Sequence, residues 1–152
     1  MRLTAYTDYS FRVLIYLGLR GDRLSTISEI SELHGISANH LMKIIHNLGK
    51  LGYIETVRGR GGGMRLAGHP EELNLGQMVR HMEPDFAVAE CFEPDRRADC
   101  VITPACRLQL ILGKAVQAFL DVLDNHTLAD LLQNRTRLAS LLNIEMAESR
   151  PS

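Results

Sequence analysis

Residues 26–52 leave the chain little conformational choice. "TISEISELHG" (26–35) opens with Thr26 and Glu29 at the spacing of a capping box and closes on Gly35, a residue that tolerates the left-handed backbone of a helix stop. "ISANHLMKIIHNLGKLG" (36–52) follows at once, with Ser37 as its N-cap and Gly52 as its end. The segment is therefore two helices joined by a tight turn at Gly35–Ser37. Each carries an apolar stripe, Ile27, Ile30 and Leu33 on one, Leu41, Ile44, Ile45 and Leu48 on the other. Such stripes have to be buried, so the pair packs against further elements. This is a helix-turn-helix.

The flanks supply those elements. "YIETVRGRGGGMRLAG" (53–68) reads as two short strands around an Arg/Gly tip, a β-hairpin. A helix-turn-helix followed directly by a basic hairpin has the layout of a winged helix. "TDYSFRVLIYLGLRG" (7–21) gives a first helix with Thr7 as candidate N-cap, and residues 73–83 give a fourth. Thr103-Pro104 opens a last long helix, Thr as N-cap and Pro at N1, running to about Asn125. Its residues Leu108, Leu112, Ala115, Phe119 and Val122 step by heptad spacing, while Leu110, Ile111, Val116 and Leu123 lie off that seam. A helix apolar on several sides is expected to be buried against its own domain and against a second copy. Thr127 caps one more short helix, and the chain from about Glu145 reads as a polar, disordered tail. The expected class is mainly α with a small β-hairpin: a winged helix-turn-helix over 1–83, an irregular loop over 84–103, a dimerisation helix and short helix over 104–133, and a partly disordered tail over 134–152.

At 152 residues and 45% hydrophobic content the chain suffices for one compact domain with an extension. No apolar run approaches a membrane span, and the N-terminus lacks the apolar stretch of a signal peptide, so a cytoplasmic protein is expected. The net charge of −1 excludes nothing, but its distribution is uneven. Residues 37–70 hold five Lys/Arg against one acid, and residues 71–100 hold three against eight. The basic block coincides with the second helix and the hairpin. In DNA-binding helix-turn-helix proteins the second helix enters the major groove. Ser37, Asn39, His40, Lys43, His46 and Lys50 stand where base and backbone contacts would fall. Arg58 and Arg60 suit phosphate or a narrow minor groove, and Gly61 and Gly62 let backbone amides approach closely. The bland alternative is a solvated basic face on a winged helix used for protein contacts. Helix and wing agree in sign and placement, which favours double-stranded DNA.

All three cysteines fall in "CFEPDRRADCVITPAC" (91–106), spaced C-x8-C-x5-C. An odd number argues against a disulfide framework. Three thiolates with Cys106 at the start of a helix suit an anionic iron–sulfur cluster, one ligand short of the usual four. Zinc is chemically possible, although the tight knuckle of structural zinc is missing. Thiol redox chemistry is a third reading, and from spacing alone all three stand. Asp8 is by default an N-terminal helix acid. No phosphate-binding loop, catalytic triad or paired carboxylates are present beyond chance, so enzyme activity has no support.

"LTAYTDYSFRVLIYL", "ISANHLMKIIHNLGKLGYIETVRGRGGGMRLA" and the cysteines ending in "TPACRL" resemble the IscR/NsrR family of bacterial winged-helix regulators, over about residues 1–133. The likeness is nearer to the nitric-oxide-sensing NsrR branch. The resemblance implies a homodimeric repressor in which Cys91, Cys100 and Cys106 hold a cluster, most simply 4Fe–4S, with 2Fe–2S as the alternative. It implies a fourth ligand from an Asp near the N-terminus of the partner subunit, and Asp8 in "YTDYS" matches that position. IscR-like members use a His three residues after the last cysteine, where this chain has Gln109. Glu90, Asp95 and Asp99 remain rival oxygen ligands. The other function classes are an IscR-like, thiol- or zinc-dependent DNA regulator and a protein-interaction winged helix without DNA.

Overall fold

The computed structural model describes residues 2–93, 95–96 and 99–145. The chain folds as α1 (Ala5–Arg20), α2 (Ile27–His34), α3 (Ala38–Lys50), β1 (Ile54–Val57), β2 (Gly63–Leu66), α4 (Leu75–Met82), α5 (Arg107–Asp124), α6 (Leu128–Leu131) and α7 (Arg135–Leu141). It is mainly helical, with one antiparallel hairpin in which Ile54 faces Leu66 and Val57 faces Gly63.

α1 is the centre. Val13, Leu14 and Leu17 are completely buried, each contributing about 1.5–3 kcal/mol of burial. Around it pack α3, β2, α4 and α6. Its N-cap is Thr4 and not Thr7, which is itself buried within the first turn. The start moves because Glu83, just after α4, takes up Thr4: its Oε1 accepts from the Thr4 amide at 2.8 Å and from the Thr4 hydroxyl at 3.1 Å. Thr4 Oγ1 then accepts from the Thr7 amide at 3.3 Å. The Thr26–Glu29 capping box on α2 is complete, and Gly35 closes α2 with φ 63°. The wing is pinned at its root, where Ser25 and Met64 exchange backbone hydrogen bonds of 2.8 Å each.

Two expectations change at the C-terminal half. Thr103 does not cap the long helix. Residues Thr103–Ala105 form a separate 3₁₀ turn, and Cys106, with an extended ψ of 108°, breaks it from α5 and becomes the N-cap. Leu120 is the only fully buried residue among the 18 of α5, which packs on α4. Leu108, Leu110 and Ile111 are 60%, 68% and 59% exposed, so one chain does not bury this helix on several sides. The other change concerns residues 134–145, which pack back on the body through the short helix α7 (Arg135–Leu141) instead of forming a tail. Ala139 and Ile144 are buried, and Arg135 Nη2 donates to the Leu19 carbonyl of α1 at 3.2 Å. The tail expected beyond Glu145 falls on 146–152, outside the described residues. No helix among the described residues is long and apolar enough to cross a membrane.

Asn74 sews the two halves together. Its Oδ1 caps α4 by accepting from the Gln77 amide at 3.0 Å, and its Nδ2 donates to the Asp124 carbonyl at the end of α5 at 2.6 Å. Arg80 Nη2 adds an ion pair to Asp124 Oδ2 at 2.8 Å. Asn74→Ala is expected to lower the unfolding free energy by about 1–2 kcal/mol, measured by urea denaturation, with the helical circular dichroism signal preserved.

Candidate functional site

Two surfaces hold the residues singled out in the sequence. On the first, α3 buries Leu41, Ile44, Ile45 and Leu48 and turns Asn39, Lys43, His46 and Lys50 outward. Ser37 is exposed, and its hydroxyl accepts from the His40 amide at 3.3 Å, so it serves first as the cap. His40 is half-buried, its ring edge-on to Tyr9 of α1 at 5.3 Å between centroids. Met42 stands on the same outward side and is about half exposed, an apolar side chain that no donor pattern in the sequence marks.

The hairpin tip presents Arg58, Arg60 and Gly61 to solvent, with Gly62 half-buried. Here the glycines answer to the turn before any ligand. Gly61 has φ 75°, a left-handed conformation that costs other residues energy. At Gly62 a Cβ would collide with the Val57 carbonyl oxygen. The tip is thus a tight, donor-rich loop with two guanidinium groups that have no ion-pair partner among the described residues, the kind of element that approaches phosphate.

The second surface begins at Asp8. It sits in the first turn of α1, its side chain 48% exposed, and accepts from Arg12 Nη2 at 2.8 Å. The Arg12 guanidinium lies 5.5 Å from the centre of the Tyr9 ring, a cation–π contact. His34, the last residue of α2, packs into the same corner. Its Nε2 is buried with no partner among the described residues. Burial first, and then the Arg12 guanidinium, push its imidazole below the ordinary value, against the opposing pull of Asp8. Asp8, Arg12, Tyr9 and His40 therefore form one contact chain from the start of α1 to the first turn of α3. Arg12 was not singled out in the sequence, although its i, i+4 spacing from Asp8 was visible there.

The cysteine segment leaves the helical body after α4. Cys91, Cys100 and Cys106 are free thiols, Cys100 exposed and the others half-buried. Among the described residues no three His, Cys, Asp or Glu side chains gather into a metal-ligating group, so one chain alone does not bring the three thiols and Asp8 together. The segment is nonetheless held. Gln109 Nε2 donates to the Cys91 carbonyl at 3.3 Å, tying the first cysteine to α5. Arg96 lies between the residues that precede Cys91 and Cys100: its Nη1 donates to Glu90 at 3.0 Å, and its Nε stands 3.7 Å from Asp99. Cys106 gives α5 no side-chain cap, which leaves the N-terminal amides of that helix facing the thiol region. Three free thiols beside an uncapped helix N-terminus fit an anionic thiolate-ligated group, while Arg96 offsets the charge of Glu90 and Asp99 beside them.

The family model for Rrf2, described as an iron-dependent transcriptional regulator, matches residues 3–134. The chain is 51% identical over 146 residues to the HTH-type transcriptional regulator NsrR of Bacillus subtilis (strain 168), covering 95% of this chain and 99% of that protein. It is 50% identical to the protein of the same name from Geobacillus kaustophilus (strain HTA426), over 93% and 97%. Among solved structures, oxidized CymR of Staphylococcus aureus aligns with a TM-score of 0.69 at 25% identity, covering 88% of this chain and 97% of the other. T. potens IscR shares the fold at a TM-score of 0.69 and 24% identity, over 98% and 94%.

Gly62→Ala is expected to open the wing turn at a cost of about 1–3 kcal/mol. Hydrogen-exchange mass spectrometry of the hairpin should show faster exchange across residues 54–66 while α1 stays protected.

Proposed function

The chain belongs to the Rrf2 family of iron-dependent transcriptional regulators, and on that footing we propose a homodimeric repressor whose operator affinity is set by a nitric-oxide-reactive iron–sulfur cluster. It is a DNA-binding regulator and not an enzyme, as its relatives are. In this proposal residues 1–83 bind the operator, 84–103 hold the cluster, and 104–133 carry the dimer contact. α3 enters the major groove through Asn39, Lys43 and His46, Ser37 and His40 stand at its leading end, and Lys50 together with the wing residues Arg58, Arg60, Gly61 and Gly62 meets the backbone. Two-fold protein symmetry then matches a near-palindromic operator. The exposed Leu108, Leu110, Ile111 and Val122 on α5 are the apolar surface a second copy would bury.

Cys91, Cys100 and Cys106 are assigned as thiolate ligands of a 4Fe–4S cluster, and Asp8 of the partner subunit as the fourth ligand. When bound, the cluster supplies iron that reacts with nitric oxide. Two local rivals for the fourth position, Glu90 and Asp99, are engaged by Arg96. Gln109 is engaged with the Cys91 carbonyl, which favours the carboxylate-ligated branch over a 2Fe–2S site. Asp8 is partly exposed and anchored on a helix whose start is fixed by Glu83, so it can be offered to another chain.

One chain of contacts carries the proposal. Asp8 holds Arg12, Arg12 lies over Tyr9, and Tyr9 abuts His40 at the leading end of α3. Whatever Asp8 holds is therefore felt at the DNA face within three contacts. By linkage, operator binding and an intact ligand set stabilise one another to the same extent.

The deciding experiment is iron and acid-labile sulfide per chain on protein purified without oxygen, with operator binding measured before and after nitric oxide. About four of each per chain, and tight binding that nitric oxide abolishes, is the expected result. Colourless protein with full, nitric-oxide-insensitive DNA binding would overturn it. Asp8→Ala should lose its cluster faster and repress poorly, and a wild-type response to nitric oxide in that variant would remove Asp8 from the mechanism. Arg60→Ala should weaken binding to all DNA sequences alike and lower the salt slope by about one. Loss confined to one base pair would mean instead that the wing reads bases.

A further inference from the structure

Thr103 reads in the sequence as a helix cap, and the fold releases it from that duty. α5 starts four residues later, at Arg107. Thr103 instead joins two of the three cysteines through its backbone: its amide donates to the Cys100 carbonyl at 3.1 Å, and its own carbonyl accepts from the Cys106 amide at 3.3 Å. Its side-chain oxygen is shielded from solvent and has no hydrogen-bond partner among the described residues. Nearby backbone groups do not satisfy it. Pro104 has no N–H, the Ala105 amide is taken by the Ile102 carbonyl at 3.0 Å, and the Cys106 amide by Thr103 itself.

A buried hydroxyl without a partner is destabilising, and valine would fill the same volume without that cost. No described group accepts from the hydroxyl either, so it calls for an acceptor that the isolated fold does not supply. The residues bonded to Thr103 on either side are the assigned ligands Cys100 and Cys106, whose thiolates are anionic acceptors. Hydrogen bonds to charged acceptors are the strong ones, and hydrogen bonds to sulfur set the potentials of iron–sulfur centres.

We infer that the Thr103 hydroxyl donates a hydrogen bond to sulfur at the cluster site, as a positioning and tuning residue beyond the ligands themselves. This rests on the cluster assignment proposed above. The donor stabilises the more negatively charged state, so it raises the reduction potential, and it holds the thiolate ligands in register. Its cost is borne by the cluster-free protein, where the same hydroxyl is buried and unpaired.

The test compares wild type, Thr103→Val and Thr103→Ser as full-length protein. Thr103→Val is expected to take up the same iron and sulfide but to lose iron to a chelator roughly tenfold faster. Its reduction potential should be more negative, and Thr103→Ser should restore both properties. In the cluster-free form Thr103→Val should melt no lower than wild type. These opposite signs separate a role toward the cluster from a role in packing. Equal potentials and equal chelation rates in wild type and Thr103→Val would overturn the inference while leaving the cluster assignment standing. So would a cluster-free Thr103→Val protein destabilised in step with its cluster loss, since that marks a packing role. Wild type without iron and sulfide would instead remove the cluster assignment itself, and the inference with it.

Discussion

The structure depends on the burial of α1. Its inward face is sealed by α3, β2, α4 and α6, so no neighbouring element can shift without disturbing the same apolar contacts. Its first turn nevertheless stays partly open to solvent and carries Asp8. A rigid rod whose end carries the proposed ligand is suited to convey a change at that end to the rest of the domain. α3 sits directly on it, and the Tyr9–His40 contact places the leading turn of α3 against the residue that follows Asp8.

Around this rod the two halves of the chain differ in completeness. The winged helix is the more complete: its first three helices are capped, its hairpin is bonded to Ser25, and Ile30 and the apolar stripe of α3 are buried, with Arg20 Nε, Ser25 Oγ and His34 Nε2 left unpaired among the described residues. The cysteine segment and α5 are left open. The thiols are free, the N-terminus of α5 has no side-chain cap, and large apolar side chains stand in solvent along that helix. Exposed leucines are unfavourable in isolation, and they lie in the same stretch as the free thiols and the uncapped helix N-terminus. Assembly around an anionic group and a second copy would resolve them together, which gives the proposed sensor a physical reason to couple its cofactor to its dimer.

Much of this was legible residue by residue. The capping box at Thr26–Glu29, the stop at Gly35 and the Ser37 cap are local chemistry, and the fold reproduces them. The stripe Leu41, Ile44, Ile45 and Leu48 fixed which side of α3 faces out. What failed were boundaries set by distant groups. Thr7 lost its capping role because Glu83, 79 residues from Thr4, fixes the start of α1 earlier. Residues 134–145 looked like a tail because Leu138, Ala139 and Leu142 form too short a stripe to predict a helix, and burial against the body supplies the missing stability.

The sequence by itself determined the order of the elements through α6, the outward basic face, the Arg/Gly wing and the confinement of every thiol to one segment. Those features depend on neighbours within a turn or two, and such short-range interactions are written in the order of residues. Only the tertiary structure decided that Arg12 and Tyr9 connect Asp8 to His40, that Arg96 takes up Glu90 and Asp99, and that Thr103 is left with an unspent hydroxyl. Each of these depends on which groups meet, or fail to meet, once helices and loops have packed. No periodicity in the chain encodes such meetings, because packing sets distances between residues that the sequence keeps apart.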